Sequence, residues 1–420
     1  MARRAIVVAV EGLGCNMLGA YGGSWVETPE LNASSIRALT CDQFWLDSIR
    51  LPSLYRSLWF GWHAAEQPAN VGQSLAERVS RSHLDSMLVT DQSELIHVAG
   101  AEDFQQIVKV AGIENDDDDQ PQTAVGNLFE TALGSWLACE ESPALLWIHS
   151  RGWRGPWDAP YDWREELKGE DDPDPPQETE PPEIDLNDES DPDIVLGWAQ
   201  AAAAQARVLD EAWGWLRSTI NDDPNPSELL VVLVGLQGYP MGEHRTIGLH
   251  RDMLHAERVH CPLILWECSA ELGRRSNELV QPADLRATLA EWLQLPVEQE
   301  VVRRCSQDLL KLQSQNRSHR WTNRNQFAFA QHKKMWMLRT PSWCGLQSGK
   351  SLADDQTYET GVELYVHPED RWQRNDVARR AVEITNAITQ LQSEVASWYT
   401  SKPENTTLPT IPTSLIESPP

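Results

Sequence analysis

The chain lacks the cysteine spacing of a metal ribbon or a dithiol redox protein. Its seven cysteines are dispersed, and no two of them form a C-x-x-C pair. This absence argues against zinc-ribbon and thioredoxin-like chemistry. An odd, scattered set of thiols is typical of a reducing compartment, so we expect a cytoplasmic protein.

Long apolar runs are also missing. No stretch approaches the 18 or so apolar residues that a membrane-spanning helix needs, so we expect no membrane partner. The first four residues (MARR) lead straight into a short apolar segment, which leaves no separate core for a secretory signal, and we expect none.

Positive charge is scarce, with 35 Lys and Arg against 63 Asp and Glu and a formal net charge of −28. Nucleic acids and anionic membranes repel such a chain, so neither is an expected partner. Residues 165–193 are rich in Glu, Asp and Pro and poor in apolar side chains. Their composition predicts a disordered acidic insert, which is either a solubilising linker or a surface for a protein partner.

One stretch organises the chain. Residues 5–10 (AIVVAV) are continuously apolar, and Glu11-Gly12-Leu13-Gly14 follows at once. Such a run predicts a strand buried on both faces, and a turn at its carboxyl end is where an open α/β sheet places a site. Similar runs alternate with helical patterns and predict a doubly wound, mostly parallel sheet: 86–90, 144–149, 229–234 and 262–266.

The pattern changes after about residue 315. Short strands are predicted at 327–330, 334–339 and 362–366, and an amphipathic helix at 377–399. We therefore expect an α/β domain over 1–315, a small C-terminal α+β subdomain over 316–400, and a flexible tail over 401–420.

Seven segments carry recognisable motifs in a consistent order along the chain: AIVVAVEGLGCNMLGAYGGSWVETPEL, LLWIHSRGWRGPWDAPY, LVVLVGLQGYPMGEH, HCPLILW, LVQPADLRATLAEWLQLP, MLRTPSW and VELYVHPEDRWQRNDVA. Together they resemble the sulfatase family of the alkaline-phosphatase superfamily. The resemblance implies an alkaline-phosphatase-like fold, with a doubly wound sheet flanked by helices and a small C-terminal antiparallel sheet plus helix. It also implies hydrolysis of sulfate or phosphate esters.

The metal positions depart from that family. Its members hold one divalent cation, usually Ca²⁺, with two adjacent Asp after the first strand and an Asp-Asn or Asp-His pair after a later one. Here the corresponding pairs are Glu11-Gly12 and Leu236-Gln237. Hard cations need several carboxylate oxygens, so Glu11 and Gln237 form a vestigial set and no cofactor is expected. An additional oxygen ligand from Asn16 or Asp47 would restore a Ca²⁺ site.

The nucleophile position departs as well. The family uses Cys or Ser in a Cys/Ser-x-Pro-x-Arg motif. Counting back from Gly61 places Leu51 at the nucleophile and Tyr55 at the Arg, while anchoring on Pro52 places Arg50 at the nucleophile. None of these side chains is an activatable hydroxyl or thiol.

Nearby hydroxyls offer a substitute. Ser48, or less directly Ser53, becomes the candidate nucleophile, although each also suits a helix cap. Arg56, close by, and His244, in the matching Gly-Glu-His segment, complete the candidate catalytic set.

Basic and aromatic residues remain near the family's substrate positions: Arg50, Arg154, His250 and Trp157. Such groups suit a small anionic ligand such as a sulfate or phosphate ester. The other interpretation is that they pair with the chain's own carboxylates.

Two functions follow. The first is a catalytically degenerate sulfatase-like protein, a pseudoenzyme that binds an anionic ligand or a partner. The second is a divergent hydrolase of sulfuric or phosphate esters that uses Ser48 and a Ca²⁺ ion held by Glu11, Asp47 and Gln237.

Overall fold

The computed structural model describes residues 3–68, 70–111, 122–222, 228–296, 306–311, 326–351, 358–401 and 408–417. An eight-stranded sheet lies at the centre. In spatial order the strands are β10 (Arg274–Val280), β2 (Leu39–Phe44), β9 (Leu263–Glu267), β7 (Leu229–Gly238), β1 (Arg4–Gly12), β5 (Leu145–Ser150), β3 (Ser86–Thr90) and β4 (Gln106–Lys109). The parallel order of this sheet is interrupted only by β9, which runs antiparallel to β2 and β7.

Strand β1 lies between β5 and β7, and its side chains from Ala5 to Val10 are at most 1% exposed. The run is apolar without alternation because both faces of the sheet are covered. Val10 pairs with Ser150 on one side and with Gly235 on the other. The carboxyl ends of these three strands therefore meet at one edge, beside Glu11.

Helices cover both faces of the sheet. One face packs against α1 (Pro29–Ser35), α4 (Ala124–Leu137) and the long Ala-rich α6 (Pro192–Asn221). The other packs against α2 (Leu51–Tyr55), α3 (Leu75–Arg81) and α8 (Pro282–Trp292). The predicted doubly wound, mostly parallel architecture is confirmed. In the described part of the chain, no helix is both long enough and apolar enough to cross a bilayer.

The C-terminal unit is a four-stranded antiparallel sheet with a helix packed on it, also as predicted. Its strands are β11 (Ala328–His332), β12 (Met335–Arg339), β13 (Trp343–Ser351) and β14 (Tyr358–Val366), and its helix is α9 (Val382–Thr400). Residues 408–417 of the expected flexible tail pack onto this unit. Leu415 is fully buried, and Thr340 donates from Oγ1 to its carbonyl at 2.7 Å. The rest of the tail beyond Ser401 lies outside the described residues.

The acidic segment has a defined path, contrary to the disorder that its composition predicts. After α5 (Tyr161–Glu165), the buried Arg164 donates to the Glu178 carbonyl at 3.0 Å and also to the Pro176 carbonyl. Strand β6 (Ile184–Asp185) then pairs with β8 (Thr246–Ile247). The segment has few apolar residues to bury, but basic groups and backbone from elsewhere in the chain anchor it.

The sequence patterns missed both edge strands of the central sheet. Strands β4 and β10 form the two edges of the central sheet, and their side chains are mostly exposed or half-buried. A strand that buries little apolar surface has little apolar periodicity. Conversely, the short apolar segment 95–98 contains a 3₁₀ turn at Leu95–His97 rather than a strand.

Helix α8 begins with a buried capping box. Asp284 accepts at Oδ2 from the Gln281 amide at 2.8 Å and at Oδ1 from the Gln307 amide at 3.0 Å. Burial nevertheless raises the pKa of Asp284 to about 7. The folded state therefore retains a proton that the unfolded state loses between about pH 4 and pH 7.

Asp284→Asn should for this reason gain stability relative to the wild type as the pH rises through that window. The variant loses one cap acceptor at every pH, but it is spared the cost of ionising a buried carboxyl. We expect its relative free energy of unfolding to rise by about 1 kcal/mol or more between pH 4 and 7 and then to level off. Urea unfolding of both proteins across pH measures this, and a difference that is constant with pH would contradict it.

Candidate active site

The carboxyl end of β1 is covered by the loop that follows β5. Gly152, at the start of a 3₁₀ turn (Gly152–Arg154), has φ +47°, and a Cβ there would lie 2.3 Å from the Glu11 carbonyl oxygen. Gly12 has φ +78°, and a Cβ there would lie 2.5 Å from Trp153 Cβ. Only glycine permits this approach, which brings Arg154 beside Glu11.

Glu11 is a fully buried carboxylate with protein partners. His149 Nε2 lies 3.1 Å from Oε1, and the Gln92 side-chain amide donates to the same oxygen at 3.4 Å. Arg154 Nη1 lies 3.4 Å from Oε2. A guanidinium from the protein itself therefore balances the charge that a buried carboxylate would otherwise carry uncompensated.

An aromatic network lies behind this ion pair. The Tyr55 hydroxyl is 2.5 Å from His149 Nδ1, and Trp147 donates from Nε1 to the Tyr55 oxygen at 3.2 Å. Burial raises the pKa of Tyr55, which keeps the hydroxyl protonated. With Tyr55 donating to Nδ1, His149 carries its proton on Nε2 and donates it to Glu11.

The end of β7 carries a second cation. Gln237, at φ +59°, accepts at Oε1 from Arg258 Nη2 at 3.2 Å. Arg258 belongs to α7 (Ala256–Val259) and is only 3% exposed. Its Nε and Nη1 atoms have no hydrogen-bond partner within the described part of the chain. Burial first, and then the charge of Arg154, lowers the pKa of Arg258 to about 10, so it stays charged at neutral pH.

The residues present do not fit a Ca²⁺ ion. The Glu11 oxygens face His149 and Arg154, and the Gln237 oxygen faces Arg258. Asp47 instead accepts at Oδ2 from Ser57 Oγ at 2.5 Å and from the Ala64 amide at 2.9 Å. A Cβ on Gly14 would lie 2.6 Å from Asn16 Oδ1, so that amide packs over the turn. Asp47 Oδ1 has no hydrogen-bond partner among the described residues, so the poor fit to Ca²⁺ rests on the basic partners of Glu11 and Gln237.

The candidate nucleophile region is built as a helix start. Ser48 is buried, and its Oγ accepts from the Arg50 amide at 3.2 Å, as in a cap or turn. Arg50 is the exposed N-cap of α2, and Leu51 is its first residue. Arg56 donates from Nη2 to the Ala64 carbonyl at 2.6 Å, which fastens the loop after the helix.

The other predicted site residues are spread around this edge. His250 Nε2 pairs with Asp185 of β6 at 2.8 Å. His244 lies between Glu257 and the Gln373 carbonyl. Trp157 is fully buried and donates from Nε1 to the Trp153 carbonyl at 2.9 Å, so it packs in the core. Of the predicted residues, Glu11 and Arg154 form an ion pair. Gln237 is hydrogen-bonded to Arg258, whose pKa the charge of Arg154 helps to lower.

A cavity of about 770 Å³ opens beside Arg154. Arg151 and Tyr239 also line it, together with residues 178–184 of the acidic segment. Small-molecule sites in proteins are usually clefts of about this size.

His149, Tyr55 and Arg258 are site residues that the sequence analysis did not select. The signal for His149 was present, since it ends an otherwise apolar strand (LLWIHS) at the edge where sites form. Arg258 lies in a short segment without clear periodicity, and only the structure shows that it is buried.

No protein-family model matches the sequence, and no curated protein does. The fold is nevertheless that of the sulfatases and phosphonate monoester hydrolases of the alkaline-phosphatase-like superfamily. A protein solved with its substrate D-glucosamine-2-N,6-O-disulfate is similar with a TM-score of 0.72 and 13% identity, covering 95% of this chain and 98% of that one.

A 2-O GAG sulfatase has a TM-score of 0.70 and 15% identity, covering 100% of this chain and 97% of that one. A phosphonate monoester hydrolase of Agrobacterium radiobacter has a TM-score of 0.71 and 12% identity, covering 94% and 96%. At such identities the likeness establishes the fold, and the chemistry has to be argued from the site.

Proposed function

We propose that this protein is a non-hydrolytic, sulfatase-like protein that binds a small oxyanion at the carboxyl edge of its central sheet. The observation that carries the proposal is the Arg154–Glu11 ion pair at 3.4 Å, together with the buried Arg258, whose pKa the charge of Arg154 helps to lower. Where the resemblance would place a cation, the chain supplies two guanidinium groups and one carboxylate.

The charge balance of this cluster favours an anion. Arg154 is paired with Glu11 but is 43% exposed, so one edge of its guanidinium remains open to solvent. Arg258 has two nitrogens without hydrogen-bond partners among the described residues. A buried guanidinium with unsatisfied N–H groups is costly. A sulfate, phosphate or carboxylate group would satisfy it through charge-assisted hydrogen bonds.

The residues at and near the family's nucleophile position argue against ester hydrolysis. Leucine at position 51 provides no attacking atom, and Ser48 Oγ is engaged with the Arg50 amide. Sulfated or phosphorylated compounds are therefore proposed as ligands rather than substrates, and no cofactor is proposed at this edge of the sheet.

The environment of the protein is part of the proposal. The seven cysteines are odd in number and dispersed along the sequence, which supports a reducing, cytoplasmic location. The net charge of −28 argues against a nucleic-acid partner. Because residues 178–184 line the cavity, we propose that the acidic segment shapes the ligand site rather than forming a separate partner surface.

Thermal unfolding with and without ligands tests this function. We expect sulfate and phosphate to raise the Tm of the wild type more than that of Arg258→Met, because binding to the folded state stabilises it. Sulfate and phosphate also stabilise folded proteins in general, because they are excluded from the protein surface. Subtracting the Tm shift of Arg258→Met from that of the wild type removes this general effect. Arg81→Met, which changes a surface arginine, serves as the control and should respond like the wild type. Ca²⁺ should leave the Tm of the sulfate-free protein unchanged at micromolar concentrations.

Two results would overturn the proposal. One is an equal response to sulfate in the wild type and Arg258→Met. The other is a rate of aryl sulfate or aryl phosphate hydrolysis that a chelator or Ser48→Ala abolishes, which would support the divergent hydrolase.

A further inference from the structure

A second cluster of chemistry-bearing side chains lies away from Glu11. His244, His255 and Glu257 each offer one ligand atom, and these atoms lie within 4.8 Å of one another. His244 and His255 border a cavity of about 700 Å³ that is also lined by Glu363 and Gln373 of the C-terminal unit. All three side chains are largely buried, at 18%, 15% and 4% exposure.

The hydrogen bonds of the two histidines have the pattern of oriented metal ligands. His244 Nε2 lies 2.9 Å from the Gln373 carbonyl oxygen, and His255 Nε2 lies 2.9 Å from Glu363 Oε2. A histidine that ligates a metal through one nitrogen usually donates its other N–H to a carbonyl or carboxylate, which fixes the tautomer and the ring. Both histidines have such a partner at Nε2.

The two Nδ1 atoms differ in their contacts. His244 Nδ1 lies 2.5 Å from Glu257 Oε1, within hydrogen-bond distance, and a metal ion bound by both groups would replace that hydrogen bond. His255 Nδ1 is buried and, among the described residues, has no hydrogen-bond partner. An unpartnered buried ring nitrogen beside a second imidazole and a carboxylate needs a physical explanation.

We propose that His244, His255 and Glu257 bind a divalent transition-metal ion, with Zn²⁺ the best fit. Two imidazoles and one carboxylate form a recognised zinc donor set, and the cavity would supply water at the fourth position. Nitrogen donors disfavour Ca²⁺ and Mg²⁺, which prefer oxygen ligands. The rings are stacked with centroids 3.9 Å apart and tilted by 29°, so they must turn slightly to share an ion.

The proposed metal site is distinct from the anion site and does not depend on it. It uses no atom of Glu11, Gln237 or Arg154. The two sites adjoin at α7, where Glu257 precedes Arg258. A metal ion joining α7 to the Gly242-Glu243-His244 loop would hold this part of the molecule together.

Zinc titration of the full chain tests the proposal, after chelator treatment and with a chromophoric competitor present. We expect one Zn²⁺ per chain, with affinity reduced at least 100-fold in His255→Gln. Glu363→Gln, which removes only the outer partner, should reduce it 10- to 100-fold. His97→Gln changes an exposed histidine on another part of the surface and should bind as the wild type does.

Cobalt substitution identifies the ligands. Bound Co²⁺ should give visible d–d bands of a nitrogen and oxygen site, without the near-ultraviolet charge-transfer band of a thiolate. A thiolate band, no saturable binding by the wild type, or unchanged affinity in His255→Gln would each overturn the proposal. If one variant fails to fold by circular dichroism, the other variant and the cobalt spectrum still decide.

Discussion

Replacing Gly152 with alanine is expected to destabilise the protein by about 3–5 kcal/mol. The residue has φ +47°, where an L side chain is strained, and the new Cβ would lie 2.3 Å from the Glu11 carbonyl oxygen and 2.6 Å from Val10 Cγ1. Left-handed strain and overpacking each cost about 1–3 kcal/mol, and here they act together against a central strand. Urea unfolding at constant pH measures the loss.

Two other glycines separate these causes. Gly22 also has a positive φ, but nothing lies within 4 Å of its Cβ position, so Gly22→Ala should show the strain alone, about 1 kcal/mol. Gly134 is inside α4 with nothing within 4 Å, so Gly134→Ala should stabilise by about 0.5–1 kcal/mol. Gly152→Ala should also weaken sulfate binding at least tenfold, because it displaces Arg154. Unaltered stability and binding would show that the loop does not hold Arg154 as described.

Replacing Glu11 with leucine is expected to lower the free energy of unfolding by about 2–4 kcal/mol. The change leaves the fully buried His149 without its acceptor, and removing one partner of a buried pair is strongly destabilising. We count little of this loss in stability toward the broken Arg154 ion pair, because the Arg154 side chain is 43% exposed and water can solvate it. Chemical denaturation of Glu11→Leu and the wild type measures the difference.

The sign of this effect separates two roles for Glu11. A carboxylate held in place for an absent cation is electrostatically unsatisfied, so neutralising it should stabilise the protein. A carboxylate held by His149 and Arg154 should instead cost stability when removed. Glu11→Gln, which keeps an acceptor for His149, should lose less than Glu11→Leu. A Glu11→Leu variant as stable as the wild type would contradict the structural role proposed here.

The sequence predicted the fold well because the central strands are apolar on both faces. The runs at β1, β5 and β7 have no other plausible place than the middle of a covered sheet, and their order, with the flanking motifs, carried the resemblance. Strands β4 and β10 were not predicted because edge strands bury little apolar surface. The ordered path of the acidic segment was not predicted because it is held by contacts to backbone atoms, such as the carbonyls that accept from Arg164, and composition does not reveal such contacts.

The candidate site could be predicted only in part. That Glu11 and Gln237 replace the family's metal ligands is readable from the sequence, and so is the missing nucleophile. Which partners satisfy Glu11 depends on the fold, since His149 and Arg154 are more than 130 residues away along the chain. Trp157 was expected to line the ligand site but is a core residue, because a tryptophan in a Gly-Pro loop has the same sequence signature in either role.

A crystal structure of the full chain grown with both sulfate and Ca²⁺ is the most direct test of whether arginine side chains have taken the place of a metal ion. We expect tetrahedral density within hydrogen-bond distance of Arg154 and Arg258, with Glu11 still paired to His149. A cation bonded to oxygens of Glu11 and Gln237 at 2.3–2.6 Å, the Ca²⁺–oxygen range, with Arg154 displaced, would contradict it.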